Sequence, residues 1–419
     1  MPLPLRRKNP ADTLTAECAA DPRVSAALLT VARERAWVNA QHLEICRVPA
    51  PTFMEQRRAT WIQEQFRALG CESRIDRGGN VVCFPYGDPG GELVALTAHL
   101  DTVLAPRVPD DVRVGPDGRF FGPGVADNGA GLAGLLAIAR ALRAHRLEEL
   151  SQLVLCANVG EEGEGNLSGM RYLCRQSSLA HRLKAFVVLD GPGTDSITSQ
   201  ALASRRFEVY FQGSGGHSWG DFGAGNPIHA LSRVVSDFAD LFVPTTPKAS
   251  FNFGVIEGGA SINSIPTEAR AKLDIRSESP DRMNQLAELL TDCVERALST
   301  ENSRAAEQAA RALRPASAWR VTAKIREIGS RPGGRLPADS PLLESLRAVD
   351  RYCSIRATED CASTDANIPL SLGLPAVALG AGGSGGGAHT ASEWFHPDGR
   401  DLALRRVLLL LLHLARQVA

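Results

Sequence analysis

The chain has no long hydrophobic run. Its longest apolar tract, Val407 to Leu412, is far shorter than the roughly 20 residues a membrane-spanning helix needs. No membrane partner is expected, and the tract reads as a buried C-terminal helix. Arg6, Arg7 and Lys8 have no apolar stretch behind them, so no secretory leader is expected. The nine cysteines, an odd number, lie scattered from Cys18 to Cys361 without a CxxC pair. This excludes a disulfide framework and a structural zinc knuckle, and it predicts a reducing, cytoplasmic setting. None sits beside a histidine or a helix start that would activate a thiol, so Cys156 and Cys174 are expected to fill core volume. An excess of one charge is missing too. Lys and Arg number 46 against 47 Asp and Glu, a net charge of -1 that gives no reason to expect nucleic acid as a partner. There is no internal repeat, and no low-complexity tract beyond the glycines that begin at Gly382.

What is present is ordinary globular composition, 44% apolar and 22% charged, over 419 residues. That length supports a large core and two or three domains. The most informative stretch is QLVLCANVGEEGE, where the apolar run Leu153 to Ala157 is followed by the adjacent carboxylates Glu161 and Glu162. A run this short and continuously apolar predicts a strand buried on both faces of a parallel sheet. Three more runs share the design. LVALTAHLD leads to His99 and Asp101, AFVVLDGPG to Asp190, and PAVALGAGG to glycines that precede His389. Open α/β sheets bind ligands beyond the carboxyl ends of their strands, which is where these residues fall.

In chain order, Val24 to Cys46 has helical apolar spacing, PAPTF at Pro49 to Phe53 is a loop, and a helix follows over Glu55 to Leu69. Asp110 to Phe121 has the Gly-punctuated look of a hairpin, and Asp127 stands at the entry to a helix carrying Leu132, Leu135, Leu136, Ala139 and Leu142. After Asp190 the pattern changes to half-exposed alternation at Ser204 to Gly213. A loop with His217, a helix at Pro227 to Leu241, strands at Ala249 to Glu257 and Glu268 to Arg276, a helix from Pro280 to Ala312 and a strand at Trp319 to Ile325 follow. This β-α-β-β-α-β order predicts a ferredoxin-like α+β insertion. The expected division is residues 1–202 and 327–419 for an α/β domain with a mixed, mostly parallel sheet flanked by helices, and 203–326 for the inserted domain.

Each chemical candidate has a plainer alternative. Asp127 fits an N-cap, Asp190 a turn, His99 a core histidine, His389 and His217 loop residues, GEEGEG a solvated acidic loop, and Arg276 a surface ion pair. Two histidines and several carboxylates at strand ends nevertheless form a nitrogen and oxygen ligand set suited to zinc, with manganese or cobalt as alternatives. A ligating histidine needs an orienting partner, and Asp101 is close enough in sequence to supply a carboxylate. Adjacent glutamates diverge, so one is expected to bind metal and the other to face a water as general base.

Taken together, PAPTF, TAHLDT, GVADNGAG, NVGEEGEGNLSG, VVLDGPG, GGHSWGDFGAGNPIHAL, GGASINSIPTEARAKLDIRS, STDANIPLSLGLPAVALG and GGGAHTASEWF span residues 49 to 395. In these motifs the chain resembles the M20 metallopeptidases, and within them the peptidase T-like branch of tripeptide aminopeptidase relatives. The resemblance implies a zinc-exopeptidase-like catalytic domain with two divalent metal ions. His99 and Asp190 would bind one metal, His389 and Glu162 the other, and Asp127 would bridge them. Glu161 would be the general base and Asp101 the orienting carboxylate. His217 would reach across a homodimer formed by the inserted lid and dimerisation domain and stabilise the oxyanion. Asn263, Arg276 and the backbone of Gly386 and Gly387 would contact substrate. Asn128 departs from the second acid that many relatives carry there, which implies altered hydrogen bonding around Asp127. Asp190, where others have glutamate, favours the aminopeptidase and dipeptidase members. Gly385 to Gly387 leave substrate size open.

The leading expectation is therefore a cytoplasmic aminopeptidase of tripeptides or dipeptides. A deacylase of N-acyl amino acids keeps the same metal ligands and differs only in the pocket. A non-catalytic metal-bound binding protein is the third reading, disfavoured because base and ligands are all in place.

Overall fold

The computed structural model describes residues 9–243 and 245–418. Arg6, Arg7 and Lys8 lie outside the described residues. The chain divides into two compact units, Met1–Ala201 with Gly334–Ala419, and Leu202–Gly333.

The first unit is built on a nine-stranded mixed sheet. Its centre is parallel: Leu93–His99 lies between Leu153–Asn158 and Leu183–Leu189, and Ala376–Leu379 continues beyond the latter. Antiparallel strands extend it on both sides, Val81–Phe84 and Glu72–Ile75 at one edge and Ser196–Ala201 at the other. Every residue of Leu93–His99 and of Leu153–Asn158 is buried. That explains the unbroken apolar runs, because a parallel strand covered by helices on both faces has no solvent side on which to alternate. Among the helices around it, Gly129–His145 and Arg400–Val418 both pack on Leu93–His99. Leu408 to Leu411 are fully buried, each contributing about 2 kcal/mol by leaving water. No helix among the described residues is long and apolar enough to cross a membrane. Arg406, on that helix, makes two 2.6 Å bonds to Asp350 of Pro341–Cys353 in the core.

The helical stretch read as Val24 to Cys46 is two helices, Pro22–Arg33 and Arg35–Arg47, broken at Glu34. Apolar spacing does not reveal the break. Glu34 leaves helical geometry at φ -89°, ψ 21° and pairs with Arg140, a contact from a distant segment.

The second unit has a four-stranded antiparallel sheet in the spatial order Ala249–Gly258, Glu268–Ser277, Ala203–Gln212, Thr322–Arg331. Helices Pro227–Ala239 and Pro280–Arg311 pack on each other and on the two central strands. Alternate residues of Glu268–Ser277 are buried, so one face of this sheet carries the unit's core. The strand read as Trp319 to Ile325 begins three residues later and runs to Arg331. Pairing with Ala203–Gln212 resumes after an irregularity between Glu327 and Gly329 and ends with Arg331 opposite Ser204. Gly329 therefore lies within a paired strand, opposite Arg206.

Candidate metal centre

The parallel register brings the candidate residues together. His99 is the last residue of its strand and lies opposite Asn158, three residues before Glu161. Asp190 directly follows Leu183–Leu189. Gly160 makes the turn into the two glutamates: its φ is +65°, and a Cβ there would stand 2.1 Å from Ser168 Oγ. A larger residue there would be strained by the positive φ and would have to displace the Ser168 hydroxyl.

His99 is buried and held by a 3.0 Å contact from Nδ1 to the Asp101 carbonyl oxygen, which places the Nδ1 proton there and turns Nε2 toward the acids. Nε2 lies 2.9 Å from Asp127 Oδ1 and 3.8 Å from Asp190 Oδ1. The other oxygen of Asp127 is 3.2 Å from His389 Nε2, which is itself 2.8 Å from Glu162 Oε1. One carboxylate thus stands between two imidazoles, with a second acid at each end. Ligand atoms of His99, Asp127 and Glu162 lie within 4.8 Å of one another.

The electrostatics follow from this closeness. Burial opposes charge on His99, but the surrounding carboxylates of Asp101, Asp127 and Asp190 hold it well above the usual imidazole range. Hydrogen bonds to Asp127 and Glu162 push His389 up to about 10. Burial also opposes ionisation of Asp127, and its contacts with His389 and His99 overcome it. Packed acids of this kind need positive charge close by. Imidazole nitrogens and carboxylate oxygens, without sulfur, make a donor set that fits zinc, manganese or cobalt.

Asp101 does more than face His99. Its carboxylate accepts from the backbone N–H of Glu161 and of Glu162, both at 2.9 Å, and from Thr52 Oγ1 at 2.9 Å. Its Oδ1 is 3.5 Å from His99 Nδ1, so the histidine's hydrogen bond goes to the Asp101 main chain. The carboxylate chiefly fixes the backbone of the two glutamates. Glu161 and Glu162 are both buried.

The N-cap of Gly129–His145 is Asn128, whose Oδ1 accepts from Gly131 N at 3.0 Å. Asp127 is therefore not spent on capping. Asn128 Nδ2 also donates to the Leu189 carbonyl at 2.8 Å, tying the helix start to the strand end that carries Asp190. Gly386 and Gly387 lie just before His389. Ser384–Gly386 pairs with Trp394–His396, and a Cβ on Gly386 would stand 3.0 Å from Trp394 Nε1.

His217, Asn263 and Arg276 belong to the second unit. Gly216–His217 pairs with Ser264–Ile265, and Ser218 N donates to the Asn263 carbonyl at 3.0 Å. His217 is exposed; its Nδ1 accepts from the backbone of Trp219 and Gly220 at 3.2 and 3.3 Å, leaving the proton on Nε2. Arg276 donates from Nε to Asp274 at 2.7 Å.

Two residues were missed by sequence reasoning. Glu393 is buried and accepts backbone hydrogen bonds from the segment that carries Asp127. Asp365 is fully buried, accepts from Asn158 Nδ2 at 2.6 Å, and is pushed up to about 7 by burial, the charges of Asp190 and Asp101 adding to it and His99 and Asn158 opposing. Both lie inside motifs quoted above, STDANIP and GGGAHTASEWF, and that position was the available signal.

Comparison with known proteins gives the family. The family model described as Peptidase family M20/M25/M40 matches residues 95–415. The chain belongs to this family. That places it among metal-dependent peptidases and related hydrolases. A tripeptidase from Staphylococcus aureus superposes with a TM-score of 0.70 at 20% identity, covering 91% of this chain and 99% of that one. A dinuclear metal-binding M20 peptidase from Bacillus subtilis superposes with a TM-score of 0.60 at 15% identity, covering 91% and 98%. At these identities the likeness establishes the M20 fold. In sequence, an uncharacterised metallohydrolase of Methanocaldococcus jannaschii is 26% identical over 55% of this chain and 63% of its own length. A succinyl-diaminopimelate desuccinylase of Paracoccus denitrificans is 26% identical over 50% and 60%. The chain thus matches less than two-thirds of the length of these two curated relatives.

Proposed function

We propose that this M20 member is a metal-dependent aminopeptidase that cleaves tripeptides or dipeptides. The observation that carries the reading is Asp127, whose two oxygens face different imidazoles at 2.9 and 3.2 Å. On this proposal His99 and Asp190 would hold one divalent ion, Glu162 and His389 the other, and Asp127 would contribute to both. Zinc is the first choice, with manganese or cobalt as alternatives. When bound, the ions supply Lewis-acid polarisation of the scissile carbonyl and lower the pKa of an attacking water.

The remaining steps fall to the chain's own groups. Glu161 takes the proton from the attacking water and delivers it to the leaving amine. Asp101 supports this by fixing the Glu161 backbone through a 2.9 Å bond. The proton on His217 Nε2 is available to an oxyanion. Asn263, Arg276 and the backbone N–H groups of Gly386 and Gly387 position the substrate carbonyl and carboxylate. We further propose a homodimer through the second unit and a cytoplasmic location; the free cysteines support the latter.

The test is hydrolysis of tripeptides, dipeptides and N-acetyl or N-succinyl amino acids by protein reconstituted with each metal. Cleavage that requires a free α-amino group supports the aminopeptidase. The similarity to a desuccinylase favours a second reading, a deacylase of N-acyl amino acids. Turnover of N-acyl substrates alone would replace the first reading with the second.

A further inference from the structure

Glu393 has no role in the reaction as proposed, yet it is only 3% exposed and its carboxylate is fully engaged. Oε2 accepts from Gly124 N at 2.8 Å, and Oε1 from Ala126 N at 2.7 Å and from Asp127 N at 2.9 Å. Its own carbonyl accepts from Gly122 N at 3.2 Å. All four donors belong to the short segment that ends on Asp127. The carbonyls of that segment are held from another side. His42 Nε2 is 2.7 Å from the Val125 oxygen, and Cys46 Sγ donates to Gly124 O at 3.3 Å.

Glu393 also lies four residues after His389, in a turn closed by Thr390 N to Gly387 O at 3.1 Å and Glu393 N to Thr390 O at 3.4 Å. One carboxylate therefore joins the two segments that carry Asp127 and His389. Charge-assisted bonds to backbone N–H groups are shorter and stiffer than neutral ones. The donors include the amide of Asp127 itself, so a small displacement there moves both oxygens that face the histidines. Metal–ligand distances tolerate only about 0.2 Å.

We infer that Glu393 is a positioning residue that sets Asp127 against His389, and through them the affinity for divalent metal where these two residues meet Glu162. This rests on the reading of the cluster as a metal centre. Glu393→Gln is the sharpest variant. It keeps the volume but puts an amide N–H2 where a backbone N–H now donates, so at least one of the three bonds is lost and replaced by a donor facing a donor.

The experiment is a zinc titration against a chromophoric chelator, with the melting temperature of the metal-free protein measured alongside. It compares the unsubstituted chain, Glu393→Gln and Asp350→Asn, the last breaking the buried pair with Arg406. Glu393→Gln is expected to weaken at least one zinc by about 10- to 100-fold, the range for residues that orient metal ligands. Asp350→Asn is expected to melt lower and bind zinc as the unsubstituted chain does. If Glu393→Gln does not fold, Glu393→Asp, which keeps the charge but cannot span the same distance, is held to the same criterion. A folded Glu393 variant with unchanged zinc affinity overturns the inference while leaving the proposed function standing. Failure of the unsubstituted chain to bind zinc overturns the metal-centre reading itself.

Discussion

Most candidate residues of the first unit are held by burial, the exposed His389 excepted, and His217 and Asn263 of the second by local turns. In the first unit His99, Asp101, Glu161 and Glu162 are buried at strand ends, and Asp101 alone joins three segments through Thr52, Glu161 and Glu162. In the second unit His217 and Asn263 are exposed and are held by turns a few residues long, such as the bond from His217 N to Asp221 at 2.9 Å. Groups that must meet a metal at fixed distances need rotamers locked by their surroundings. Groups that meet a substrate need to be reachable, and local turns hold them without a core. The contrast predicts that substitutions at the buried first-unit acids act on the base or the metal, and that second-unit substitutions leave metal binding unchanged.

The largest effect tests the first half of that contrast. Glu161→Gln removes the proposed base and should lower kcat by about 10²- to 10⁴-fold, while metal content measured by mass spectrometry stays unchanged. Residual activity near that of the unsubstituted chain would remove Glu161 from the mechanism. His217→Ala comes next, with kcat down by about 10²- to 10³-fold and zinc affinity unchanged. Mixing it with Glu161→Gln should restore part of the activity if the histidine acts across a dimer; absence of any recovery would confine it to its own chain or to its own loop.

Arg276→Ala should have a smaller effect, expressed in KM and amounting to roughly tenfold, because Arg276 stays paired with Asp274 and only part of its charge is free for a carboxylate. An unchanged KM for substrates with a free carboxylate would leave the ion pair as its whole role. The smallest effect is on stability. The units have separate hydrophobic cores, so chelation should lower the melting of the first by the lost binding energy and leave the second where it was. Equal shifts in both would contradict a metal confined to the first unit.

How much of this was legible from residues alone depended on where each partner lies in the chain. The apolar runs ending in His99, Glu162 and Asp190 announce a parallel sheet with acids at its carboxyl edge, because a strand covered on both faces must be apolar throughout. Asp127 was ambiguous between cap and ligand. Asn128 takes the cap, a choice that depends on side-chain direction rather than residue type. Glu393 and Asp365 carried no signal beyond their position inside two of the quoted motifs. Their partners are backbone N–H groups of Gly124 to Asp127 and the amide of Asn158, more than 200 residues away, and no local pattern marks an acid destined for such partners. The extension of the last second-unit strand to Arg331 has the same origin, since it is set by pairing with a distant strand.

On the proposed reading, Asp127 would serve two metal ions at once. Equilibrium dialysis against zinc, with metal and protein counted in the same sample, tests it most directly. Two zinc ions per chain in the unsubstituted protein, falling to one or none in Asp127→Ala, is the predicted result. A single ion in the unsubstituted chain, or two retained by Asp127→Ala, would contradict it.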